Sequence, residues 1–125
     1  MSNFKSFEEL GCWKEARNLR NFVKNEIISK IPRHEKYDLI SQIRRSSRSV
    51  GNNIAEGYGR FHFQENIQFC RIARGSLDET LDHTIIAVDE GYISEDNLSE
   101  LRTIHNKTLL ILNGYIKYLK NQKGK

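Results

Sequence analysis

Residues 49–61 read SVGNNIAEGYGRF, with three glycines and two asparagines. Two readings compete for Gly57-Tyr58-Gly59: a loop that cradles phosphate, or a place where one helix stops and another starts. A dinucleotide loop needs a strand, then G-x-G-x-x-G, then a helix. Here Arg60, Phe61 and His62 follow Gly59, so the third glycine is missing. The residues before it, Ser46 to Glu56, repeat with a helical period, and the Gly-Lys-Ser/Thr of a P-loop is absent. The stretch therefore reads as a helix break, with Gly57 and Gly59 supplying backbone angles that other residues resist.

Working outward, the segment before the break starts near Tyr37 and runs to about residue 57. Leu39, Ile40, Ile43, Ser47, Val50 and Ile54 fall on one side of a helical wheel. Arg44, Arg45 and Arg48 fall roughly opposite, and Asn53, Glu56 and Arg60 share a third sector. A helix over about 63–90 follows, with Ile67, Cys70, Ala73, Leu77, Leu81, Thr84 and Val88 as its stripe. Gly91 is a C-terminal stop, and Ser94 an N-cap with Glu95 and Asp96 in the next first turn. The helix over about 95–121 carries Leu98, Leu101, His105, Thr108, Leu112, Tyr115 and Leu119 in heptad-like steps. A second stripe, Ile104, Ile111 and Tyr118, widens its apolar face beyond a two-helix contact. Upstream, Trp13, Ala16, Leu19, Val23, Ile27 and Ile31 predict a helix over about 7–31, ended by Pro32. Four such helices with short links favour an all-α, antiparallel up-down four-helix bundle in a single domain over 1–125.

The net charge is +4, unevenly spread. Residues 61–100 hold two basic and nine acidic groups, and residues 101–125 hold six basic and none acidic. Such asymmetry steers polyanions to one surface or helps subunits pair. Cys12 and Cys70 lie in separate helical segments, which argues for reduced thiols rather than a disulfide framework. The opening MSNFKSFEEL has no apolar core, and the longest apolar run, Leu109 to Leu112, is far too short to span a bilayer. A cytoplasmic protein with no membrane partner is expected.

Three motifs together make the chain recognisable: Gln42-Ile43-Arg44-Arg45, Asn53-Ile54-Ala55-Glu56-Gly57-Tyr58-Gly59-Arg60, and Ile72-Ala73-Arg74-Gly75-Ser76-Leu77-x-Glu79. With them the chain closely resembles the four-helix-bundle proteins of the 23S rRNA intervening-sequence family. That family includes accessory subunits of diversity-generating retroelements. The resemblance runs from the Trp13-Lys14 region through Leu112-Asn113-Gly114. It implies a four-helix bundle that assembles as a ring-like homopentamer, with no known catalytic activity. For the retroelement branch it implies a positively charged scaffold that binds nucleic acid and a reverse transcriptase. The chain departs from the family pattern where Gly51 replaces a proline, His62 a helix-capping serine, Asn66 an aromatic residue and Thr80 a leucine.

The chemistry-bearing residues point away from catalysis. No histidine has a Glu three residues before it, as a di-iron bundle requires, and no H-E-x-x-H pair exists. No metal, cofactor or catalytic residue is expected. Asn53, Glu56 and Arg60, facing Ser76 and Glu79, read as a structural polar network that fixes helix register. The basic set is Arg44, Arg45 and Arg48, with Lys14, Arg17, Arg20 and Lys24 on the first helix and Lys117, Lys120 and Lys123 on the last. Arginine forks suit phosphate oxygens, and no base-reading motif accompanies them. The expected function is a non-catalytic oligomeric scaffold that binds RNA or DNA mainly through phosphate contacts. The alternative is a protein adaptor, for example to a reverse transcriptase, whose arginines make subunit or partner contacts.

Overall fold

The computed structural model describes residues 6–124, and its regular structure is entirely helical. Lys125, one of the six basic groups counted over residues 101–125, lies outside the described residues. Helix α1 spans Gly11–Phe22, α2 Leu39–Gly59, α3 Phe63–Asp89 and α4 Glu95–Lys123.

The first segment is not the continuous helix expected over 7–31. A 3-10 turn, Phe7–Glu9, is capped by the Ser6 hydroxyl, which accepts from the Glu8 amide at 3.1 Å. Leu10 then adopts an extended conformation (φ −68°, ψ 129°) and drops its side chain into the core at 1% exposure. After Phe22 the helix widens into a π turn at Val23–Ile27 and tightens into a 3-10 turn at Ile28–Lys30. The reason lies in the apolar spacing. Leu19, Val23, Ile27 and Ile31 recur at a constant step of four, which overshoots a turn of about 3.6 residues. The wider π turn takes up the overshoot, and all four stay buried. Ile31 is extended (ψ 133°), as a residue before proline prefers.

The glycine-rich stretch also differs from expectation. Gly57 is not a break: it is a buried residue inside α2, and Gly59 is that helix's last residue. The next three residues link α2 to α3, and among them Phe61 takes φ +61°. Gly57 is small for another reason. A Cβ there would lie 2.7 Å from Asn66 Oδ1 and 2.9 Å from Phe69 Cβ, so its absence lets α2 and α3 approach. The far end of α3 behaves as its sequence predicts. Gly91 sits at φ +80°, Tyr92 N–H donates to Ala87 O, and Gly91 N–H donates to Val88 O, both at 2.9 Å. That pair of bonds closes a Schellman motif. Ser94 then caps α4 in a reciprocal capping box with Asn97.

Each helix packs on its successor, and α4 closes against α1. Across the α2–α3 seam Ser49 meets Ser76 (2.8 Å) and Ser46 meets Thr80 (2.9 Å). Across α3–α4 Asn66 meets Tyr115 (3.1 Å), Arg74 meets Asn113 (2.8 Å) and Asp78 meets His105 (2.9 Å). The core joins Leu19, Ile43, Ile54, Leu77, Leu101 and Leu112, all fully or nearly fully buried. Burying side chains of this size contributes about 1.5–3 kcal/mol each. The expected stripes of α2 and α4 therefore point inward. The second stripe of α4 is half-buried against the same core.

Two glycines can be told apart experimentally. Gly57→Ala should lower stability in urea unfolding by about 1–3 kcal/mol, because Phe69 Cβ is fixed to its own helix and cannot give way alone. Gly75 lies mid-helix on α3 with nothing near its missing Cβ. Gly75→Ala should raise stability by about 0.5–1 kcal/mol through helix propensity.

Candidate nucleic-acid interface

The second half of α1, with its π turn, lies against α2 across a groove of about 460 Å³. Arg20 and Lys24 line it from one side and Arg44 and Arg48 from the other, with Asn21, Ile28, Ser47 and Asn52 between them. The local sequence explains the placement. Arg20 and Lys24 are one helical turn apart, as are Arg44 and Arg48, so each pair points the same way. No carboxylate lines the groove, and among the described residues none of the four cations is paired with an acid. Buried Ser47 bonds its own helix, its hydroxyl donating to Arg44 O at 3.2 Å. The arrangement offers four adjacent positive charges, three of them guanidinium forks, to an anion with several oxygens.

The other basic residues are distributed elsewhere. Arg45 leaves the set: it faces α3, where its guanidinium is ion-paired to Glu79. Lys14 and Arg17 line a shallow hollow shared with Glu8 and Glu15, and Arg17 lies over the Trp13 ring at 5.9 Å. Lys117 is exposed on α4. Lys120 and Lys123 join Arg71 of α3 around a second hollow of about 350 Å³, and Lys123 donates to Gln64 there. The sequence reading missed Arg71, Asn21 and Asn52. Nothing in a linear pattern places Arg71 beside two lysines some fifty residues later; only the α3–α4 contact does so.

The five residues expected to form one polar network form three separate clusters. Near the α2 terminus Arg60 bonds Glu56 at 2.9 Å, approaches Glu65 at 3.7 Å and lies over the Phe69 ring. In the middle Asn53 donates to Ser49, whose hydroxyl meets Ser76. Farther along, Glu79 receives Arg45 and lies 3.1 Å from His83. The split follows from helix geometry. These residues span several turns, and neighbouring side chains reach only one turn along a helix. A buried hydroxyl seam lies beside them: Thr80 Oγ1 sits 2.9 Å from both Ser46 Oγ and Ser76 O.

Buried ionisable groups offer little chemistry. Burial pushes the thiols of Cys12 and Cys70 up to about 12, which keeps them protonated and unreactive. Burial likewise raises the Tyr115 phenol. His105 is buried on α4 with Nε2 2.9 Å from Asp78 Oδ1, tying α4 to α3. Among the described residues no group of three or more His, Cys, Asp or Glu is placed to hold a metal ion. No helix among them is long and apolar enough to cross a membrane.

Fold and surface thus define a small all-helical four-helix protein with a cation-lined interhelical groove. The family model for the 23S rRNA-intervening sequence protein matches residues 8–114, and the chain belongs to that family. No curated protein is significantly similar to it.

The Glu79 cluster carries a pH signature. Partial burial alone would raise its carboxyl, but the hydrogen bonds from Arg45 and His83 outweigh that and hold it below the ordinary 4.5. A carboxyl depressed on folding adds stability above its unfolded value and loses it as pH falls through its folded value. Wild type should therefore exceed Glu79→Gln in thermal stability at neutral pH. The gap should narrow as the pH falls below about 4.5 and close only once the pH has passed the lower folded value, where both side chains are neutral.

Proposed function

We propose that this protein is a non-catalytic scaffold that binds RNA or DNA by its phosphate backbone through the α1–α2 groove. The observation that carries this reading is the convergence of Arg20, Lys24, Arg44 and Arg48 on one groove with no acid in its lining. Phosphodiesters present paired oxygens at regular spacing, which suits guanidinium forks on two facing helices. The same groove suits a small-molecule enzyme poorly. Its lining has no carboxylate or histidine to act as general base and no enclosed apolar floor, and its one hydroxyl, Ser47, donates to Arg44 O, whereas catalytic sites combine a base and a nucleophile in one concave pocket.

In this reading the bundle is up-and-down, with neighbouring helices antiparallel. The pairs Asn66–Tyr115, Arg74–Asn113 and Asp78–His105 support that sense, because residue numbers climb on α3 as they fall on α4. The working unit is a ring-like homo-oligomer, a pentamer as the family resemblance implies, acting in the cytoplasm. Five copies raise the formal charge from +4 to about +20, so individually weak phosphate contacts act together. The distribution of acids supports self-association: residues 61–100 carry an excess of seven negative charges that a neighbouring copy's basic face complements.

Fluorescence anisotropy of labelled RNA and DNA over a salt series, with oligomer mass measured on the same samples, tests the proposal. Binding should weaken steeply with salt. Arg44→Ala with Arg48→Ala should lower affinity, flatten the log–log salt slope by up to about 2 and leave the mass unchanged. An absence of binding at low salt would sink the proposal and favour the protein adaptor, with a reverse transcriptase as the first partner to test. Loss of the oligomer in the double variant would instead make these arginines subunit contacts.

A further inference from the structure

The α2–α3 turn holds a feature that folding alone does not explain. Among the described residues Phe61 is the one non-glycine with positive φ, at +61°. A bulky side chain in that region is a backbone outlier that costs free energy. Packing does not repay it, because Phe61 is 80% exposed. Nor does the chain lack glycine nearby: Gly59 sits two residues earlier, with nothing near its missing Cβ. The strained position is thus occupied by a side chain whose apolar face is left in water.

A cationic hollow begins three residues farther along the chain, at Gln64, while the nearby carboxylates Glu56 and Glu65 are both engaged by Arg60. Gln64 accepts from Lys123, and with Lys120 and Arg71 it lines the α3–α4 hollow, where none of the described lining residues carries a carboxylate. The preceding Arg60 does not cover the Phe61 ring; its guanidinium is held over Phe69 and bonded to Glu56. Exposure alone does not single out Phe61. Tyr37 is 87% exposed, but the Lys36 ammonium lies 5.4 Å from its ring centre, and Glu35 and Asp38 flank it with negative charge. The exposed aliphatics Ile72 and Leu110 offer no π face.

We infer that the α2–α3 turn is a stacking site for single-stranded nucleic acid, in which Phe61 takes the face of an unpaired base and Lys120, Lys123 and Arg71 take adjacent phosphates. Single strands are gripped where an aromatic ring stands beside a basic track, since every base has a π face and every linkage a charge. A duplex keeps its bases stacked inside and gives such a ring nothing to take. The site rests on the nucleic-acid reading of this protein, and it is separate from the α1–α2 groove, which needs only phosphate.

The test compares a labelled oligouridine with an abasic strand of the same length, using wild type, Phe61→Gly, and Lys120→Ala with Lys123→Ala. Phe61→Gly should raise the melting temperature, since glycine accepts the left-handed angle, and should weaken oligouridine binding by about 10-fold. It should bind the abasic strand as wild type does. The double lysine variant should weaken both strands and flatten the salt slope. Unchanged oligouridine affinity in Phe61→Gly, equal losses on both strands, or an altered oligomer mass would overturn the stacking site while leaving groove binding intact. Failure of wild type to bind either strand at low salt would overturn the stacking site and the nucleic-acid reading together.

Discussion

The distance between α2 and α3 governs most of this structure. Gly57 lets the two helices meet against Asn66 and Phe69, and two hydroxyl pairs, Ser49–Ser76 and Ser46–Thr80, continue the contact along the seam. Small polar side chains allow helix backbones to lie closer than leucines would. They remain favourable inside only because each hydroxyl finds a partner. Among the described residues no buried side-chain nitrogen or oxygen lacks one. Thr80 stands where the family pattern has leucine, and Ser46 opposite supplies the hydroxyl that makes the exchange tolerable.

That close seam sets the electrostatics of α2. With one flank held against α3, Arg45 reaches Glu79 and is neutralised, while Arg44 and Arg48 turn toward α1. Adjacent arginines in one sequence thus take opposite roles: one ties helices together, and its neighbours leave a positive groove open. The ion pairs on the exposed flanks are solvated and contribute little to stability. The free cations retain their capacity to exchange counterions for phosphates.

The same seam shapes the turn at its end. Because α2 remains helical through Gly59 and α3 begins at Phe63, only three residues link them. A left-handed residue lies within this short link, and it falls on Phe61. The uncapped start of α3 fits the departure at His62, which makes no side-chain capping bond. Glu65, which would have completed a capping box, is instead within reach of Arg60.

Much of this was legible in the residues. The apolar stripes, Pro32, Gly91 and Ser94 determined four helices, three of them to within a few residues, because periodicity and capping are local properties. The three motifs were sufficient to identify the family. Two details escaped because they answer to packing. Gly57 looked like a break, yet it serves a contact with residues nine and twelve positions later. The π turn after Phe22 reconciles a four-residue apolar step with the core it must face. Which arginines stay unpaired, where Arg71 meets Lys120 and Lys123, and how the polar set divides were decided by the tertiary structure alone. The sequence specifies which face of each helix a charge occupies; only the packed neighbour determines whether that face meets an acid, another cation or water.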